Sequence, residues 1–113
     1  MSEDILDLTI AQHVAHITFN RPAKLNAIDR ALAERLVESL ATVAADTSVR
    51  VAVLKGAGRA FMAGGDLKGF HAAGDEAPEA VRALIEPFHA AVRAIRAYVG
   101  ANDRLDRSLT AFA

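Results

Sequence analysis

The sequence predicts an α/β fold with elements in the order β-β-α-β-loop-α. Three observations predict it. Residues 5–10 and 13–20 alternate apolar and polar side chains with a period of two, the pattern of half-buried strands. Residues 30–45 and 77–97 repeat apolar residues every three or four positions, the period of a helix with one buried face. Between those helical stretches, residues 49–54 read VRVAVL, mostly apolar on both faces, as expected of a parallel strand covered from both sides.

The first strand presents Ile5, Leu6, Leu8 and Ile10. The second turns Ala15, Ile17 and Phe19 to one face and His16 and Thr18 to the other. The short Ala11-Gln12 link predicts an antiparallel hairpin, although no Asn-Gly turn marks it. Arg21-Pro22 ends the second strand, because proline cannot donate to a ladder. Asp29 is the expected helix N-cap. Beyond it Leu32, Leu36, Val37, Leu40 and Val43 face inward, Arg30, Glu34, Arg35 and Glu38 outward, and the helix should end near Ala45-Asp46. The strand at 49–54 enters after this helical crossover. A loop with Gly56, Gly58, Gly64 and Gly65 then leads to a turn of helix starting at Asp66.

The last helix should begin at Ala77-Pro78-Glu79, where proline suits the first turn. Its face of Val81, Leu84, Ile85, Phe88, Val92 and Ile95 is expected to be core. Pro87 predicts a kink or two abutting helices, since it removes a hydrogen bond and crowds the carbonyl of Ala83. From Gly100 the sequence turns polar and weakly patterned.

The chain has 113 residues, 52% hydrophobic and 24% charged, which fits one small folded domain. Thirteen basic against fourteen acidic residues leave a net charge of −1, which argues against a general electrostatic grip on nucleic acid or an anionic membrane. With no cysteine, there is no disulfide, no thiolate zinc site and no cysteine nucleophile, a composition compatible with the cytoplasm. The N-terminal MSEDILDL lacks the basic and apolar regions of a secretory signal. No run reaches the ~18–20 apolar residues of a membrane span.

Two segments carry candidate chemistry: residues 17–28, reading ITFNRPAKLNAI, and residues 56–68, reading GAGRAFMAGGDLK. In the second, Ala63, Gly64 and Gly65 let a ligand approach the main chain closely. Free N–H groups at the start of the following helical turn can bind developing negative charge. This is the geometry of an oxyanion hole, whose donors are each worth about 3–4 kcal/mol of barrier.

As a pair, Asn20-Arg21-Pro22 with Asn26-Ala27, then Gly58-Arg59-Ala60-Phe61 with Ala63-Gly64 and Asp66-Leu67, the segments resemble the crotonase superfamily, the enoyl-CoA hydratase/isomerase family. The resemblance covers residues 5–97 and implies a crotonase-like ββα spiral acting on acyl-CoA thioesters, with coenzyme A arriving as part of the substrate and no separate cofactor or metal. It implies that the Gly65 backbone N–H is one of two oxyanion donors stabilising an enolate. It places Asp66, Leu67 and Lys68 beside the CoA nucleotide and pantetheine. Ala23, Lys24, Leu25 and Ala27 would border the adenosine, with Ala63 against the adenine and Gly64 beside the donor.

Family members are usually homotrimers or hexamers, built on C-terminal helices without a counterpart here. Nor is there a counterpart of the later Gly-rich turn, which gives the second donor, or of the acid/base carboxylates. The chain is therefore expected to hold a partial spiral at residues 1–98, truncated before the second half of the domain, with a divergent tail at 99–113. The other expected reading is a non-catalytic remnant or a module that docks on a full-length homologue.

The remaining candidates are expected to be structural. His13 and His16 would point to opposite faces of a strand. His71 is expected in a solvated loop. Glu86 and His89 are spaced to pair on a helix surface. Arg59 is expected as a solvated charge, and Gly56-Ala57-Gly58-Arg59 lacks the Gly-Lys-Ser/Thr ending of a phosphate loop.

Overall fold

The computed structural model describes residues 4–102 and 108–111. Strands β1 (Leu6–Ala11) and β2 (Val14–Phe19) form the expected antiparallel hairpin, with Leu6 opposite Phe19 and Ala11 opposite Val14. The turn lies one residue later than the sequence suggests, at Gln12 and His13, with φ of 50° and 70°. Two successive positive φ values match the twist of the strands, but a side chain in that region costs roughly 1–2 kcal/mol. His13 is held there by Nδ1, 2.9 Å from the Ser48 carbonyl. Replacing Gln12→Asn together with His13→Gly is expected to stabilise the fold by about 1 kcal/mol, relief of strain exceeding the loss of one exposed hydrogen bond. Thermal unfolding checks this, and an unchanged midpoint would show the turn to be unstrained.

Helix α1 (Arg30–Ala45) starts where expected, with the Asp29 side chain accepting from Leu32 N–H at 3.0 Å. It buries Leu32, Ala33, Leu36, Ser39, Leu40 and Val43. Strand β3 (Val51–Gly56) follows and pairs parallel with β2, Val14 opposite Val51 and Phe19 opposite Gly56. The sheet face made by Ala15, Ile17, Phe19, Ala52 and Leu54 joins the α1 residues in one core. Each fully buried leucine or isoleucine there contributes roughly 1.5–3 kcal/mol.

The other face of β3 departs from expectation, since Val51 and Val53 are only half-buried. The reason is that α1 covers one face of the sheet, and the last helix packs chiefly on α1.

After a short helix α2 (Leu67–Ala72), helix α3 runs from Ala77 to Asn102 without a break at Pro87. Its buried residues Leu84, Ala91 and Tyr98 recur every seven positions. Packing on both sides of Pro87 keeps the two halves on one seam, outweighing the ~3 kcal/mol that proline costs inside a helix. The neighbouring stripe, expected as core, is open instead: Val81, Ile85, Phe88 and Val92 are 38–45% exposed.

The stretch expected as a tail carries β4 (Ser108–Ala111), which pairs parallel with β3 and completes the sheet order β1-β2-β3-β4. Four residues are too few for alternation to announce a strand. The start of that stretch, 99–102, continues α3 instead of beginning a tail, and 103–107 and 112–113 lie outside the described residues. Among the described residues, no helix is long and apolar enough to cross a membrane.

Candidate functional site

Because β2 and β3 are parallel neighbours, the loops that follow them leave the same edge of the sheet, where ligands gather in open α/β sheets. The first loop begins with a single 3-10 turn, Pro22–Lys24. It then places Leu25 and Asn26 at φ of 53° and 56°, a conformation that side chains seldom adopt and that clusters at functional sites.

Asn26 explains how that conformation survives. Its side chain is fully buried. Oδ1 accepts from the Arg21 N–H at 2.8 Å, and Nδ2 donates to the carbonyls of Ala57 at 3.0 Å and Ala60 at 2.7 Å. One amide thus closes the first loop and clamps the second onto it. Gly56 makes room for the clamp, since a Cβ there would lie 2.2 Å from the Ala60 oxygen and 2.7 Å from Asn26 Nδ2. Phe61 packs edge-on against Phe19, with ring centroids 5.4 Å apart.

Main-chain bonds continue the contact between loops. Ala63 N–H donates to the Leu25 carbonyl at 3.1 Å, Ile28 N–H to Gly64 at 2.7 Å, and Asp66 N–H to Ile28 at 2.9 Å. The last two form an isolated parallel bridge between Ile28 and Gly65. Ile28 makes both bonds of this bridge, to the residues on either side of Gly65, so the Gly65 N–H points away from Ile28. Gly65 is exposed, and among the described residues its N–H meets no acceptor. Gly64, at φ 105°, supplies the backbone turn that only glycine adopts freely.

Asp66 closes this segment. Its Oδ1 accepts from Gly69 N–H at 3.0 Å, capping α2. Its Oδ2 lies 3.5 Å from both Arg21 and Lys24. The Gly69 N–H, followed by the charges of Lys24 and Arg21, holds this carboxyl below the usual carboxylate range against the opposing pull of burial. Arg21 also binds Asp29 at 3.0 Å.

Asp66→Asn is expected to cost about 2–3 kcal/mol at neutral pH, the value of charge-assisted hydrogen bonds to a buried group. A lowered folded-state pKa means that the stabilisation is complete above the ordinary value near 4 and fades as pH falls through the lower folded value. Urea unfolding of both proteins should show a constant gap from pH 7 to about 4 that narrows below it. A gap unchanged down to pH 2 would contradict this.

Of the sequence-predicted residues, Lys24 and Leu25 of the first loop meet Asp66 and Ala63 of the second, and Gly64 and Gly65 meet Ile28. Ala23, Lys24, Ala63, Gly64, Gly65, Leu67 and Lys68 are exposed, Leu25 is half-buried, and Ala27 and Asp66 are buried. Beside them a cavity of about 300 Å³ opens where α1, α2 and α3 meet, lined by Asp29, Arg30, Asp66, Gly69, Phe70 and Ala83 among others. Phe70 joins cavity to loop, because a Cβ on Gly65 would lie 3.3 Å from its ring.

Other expectations fall elsewhere. Glu86 pairs with Arg93 at 2.9 Å rather than with His89, whose ring lies against Phe88. The longer arginine reaches across two turns to the carboxylate. His13 sits in the hairpin turn rather than on a strand, Arg59 is exposed as expected, and His71 is exposed but lies in the last turn of α2 rather than in a loop. Sequence reasoning misses Arg21, Asn26 and Asp29 as residues that build the site. The only sequence signal for the first two was their place in the first motif, since burial of a polar group is settled by tertiary contacts.

Residues 9–99 match the family model described as enoyl-CoA hydratase/isomerase. The chain is 49% identical over 63 residues to mevalonyl-coenzyme A hydratase SIDH of Beauveria bassiana, covering 55% of this chain and 22% of that protein. It is 43% identical over 63 residues to the mitochondrial Delta(3,5)-Delta(2,4)-dienoyl-CoA isomerase of Mus musculus, covering 55% and 19%. Among solved structures it is similar to an enoyl-CoA hydratase of Mycobacterium smegmatis, with a TM-score of 0.76 and 33% identity over 96% of this chain and 39% of that one. An enoyl-CoA hydratase/carnithine racemase of Magnetospirillum magneticum gives a TM-score of 0.78 and 30% identity over 97% and 39%. The chain therefore spans about two fifths of these solved chains and under a quarter of these curated relatives.

Proposed function

The chain belongs to the enoyl-CoA hydratase/isomerase family, and from that premise we propose that its paired loops bind an acyl-CoA thioester, with the Gly65 N–H donating to the thioester carbonyl. The observation that carries this reading is the N–H of the exposed Gly65, unmatched by any described acceptor and turned away from Ile28 by the bonds of its neighbours. A donor fixed in place before the ligand arrives favours charge that develops on the carbonyl oxygen as an enolate forms. Lys24 and Lys68, both exposed, supply positive charge for the CoA phosphates. Ala23, Leu25, Ala27, Ala63, Gly64 and Leu67 form the neutral wall beside them. Coenzyme A is part of the substrate in this reading, and no separate cofactor is needed.

Asp66 is poorly suited to proton transfer, because the Gly69 N–H and the charges of Lys24 and Arg21 hold its carboxyl below the usual carboxylate range and leave it a weak base. With Asp66 and Asp29 both committed to Arg21, a second reading gains support: thioester binding and carbonyl polarisation without turnover. Titration with crotonyl-CoA labelled with ¹³C at the thioester carbonyl tests the common core of both readings. Binding with a downfield carbonyl shift is expected. Binding without a shift, or no binding at all, would reject the donor role. Loss of the enone absorbance on longer incubation separates turnover from binding alone.

A further inference from the structure

We propose that Arg21 is the positioning residue that holds the Gly65 N–H in its outward orientation, an inference that rests on the thioester-binding reading. The bridge that sets this orientation is made by two main-chain bonds, Ile28 N–H to Gly64 and Asp66 N–H to Ile28. An isolated bridge of this size is marginal in water. Arg21 brackets it. One guanidinium nitrogen lies 3.0 Å from Asp29, the residue after Ile28. The other lies 3.5 Å from Asp66, the residue after Gly65. The first also approaches the carbonyl of Ala27, the residue before Ile28, at 3.4 Å.

A planar fork with fixed spacing between its nitrogens sets the distance between the two segments, which a single flexible ammonium cannot do. The Arg21 side chain is 11% exposed, so solvent screens it little. Lys24 also reaches Asp66, but at 53% exposure its pull is weakened by water.

The test is Arg21→Lys, read in two ways. In the ligand-free protein, hydrogen exchange of the Ile28 and Asp66 amides should accelerate about tenfold or more, while the amide of Leu40 in α1 is unchanged, as for a local opening. With ¹³C-labelled crotonyl-CoA, the carbonyl shift should fall by about half or more while affinity stays within about threefold, a split that general loosening would not produce.

Unchanged exchange in a folded Arg21→Lys protein would overturn the proposal. A wild-type protein that leaves the carbonyl unshifted would instead overturn the functional reading, with exchange still deciding the role of Arg21. Should Arg21→Lys not fold, Asp29→Asn decides, because asparagine keeps the helix cap and removes one carboxylate from the fork. Faster exchange at Ile28 and Asp66 then supports the proposal, and unchanged exchange refutes it.

Discussion

Asn26→Ala is expected to remove about 4 kcal/mol of stability, a large share of the roughly 5–15 kcal/mol that holds a domain together. The substitution strips partners from three main-chain groups at once: the Arg21 N–H and the carbonyls of Ala57 and Ala60. Each part-buried group left unpaired costs about 1–3 kcal/mol, with water recovering some of it. Alanine must also hold φ at 56°, which asparagine tolerates better. Asn26→Gly separates the two causes, since glycine keeps the backbone and loses only the amide. It should recover about 1 kcal/mol of the loss. Asn26→Asp keeps the acceptor for Arg21 but turns an anion toward two carbonyls, and should do no better than alanine. Urea unfolding of the three variants measures these differences. A loss below about 1 kcal/mol in Asn26→Ala would mean that the loops hold together without the clamp.

Gly65→Pro is expected to reduce any turnover of an acyl-CoA thioester by about 10²–10³, the effect of deleting one oxyanion donor. It should have little direct cost in folding hydrogen bonds, because no described acceptor uses that N–H. Gly65→Ala is the control. It retains the donor and adds a Cβ 3.3 Å from the Phe70 ring, a contact that a small movement of the ring relieves. It should therefore keep turnover within about tenfold of the wild type. Where no turnover is seen, the thioester carbonyl shift replaces it as the readout. Equal losses in both variants would point to crowding by Phe70 rather than to the missing donor, and equal retention would remove Gly65 from the chemistry.

Most of the frame can be read from residue order alone. The Asp29 cap, the span of α1, the hairpin and the parallel entry of β3 each follow from local signals: a capping side chain, a period, a run of branched residues. The two loops are legible as motifs, and their residues do meet. What residue order hides is how they meet. Nothing local distinguishes a buried Asn26 from a solvated one, or tells that Arg21 spans two carboxylates rather than reaching a ligand. Pro87 reads as a break because its local penalty is visible, whereas the seam of Leu84, Ala91 and Tyr98 on α1 is not. The short β4 is defined by its pairing with β3 more than by its own composition.

The crossover between β2 and β3 also sets when the site can exist. Asn26 must find Ala57 and Ala60, more than thirty positions along the chain, and Ile28 must find Gly64 and Asp66 beyond α1. Contacts this distant in sequence form late, after the intervening helix has docked and the entropy of closing the loop has been overcome. Recognition by these loops would then report a finished fold, since an intermediate with α1 and the hairpin in place but β3 unpaired would not bring them together.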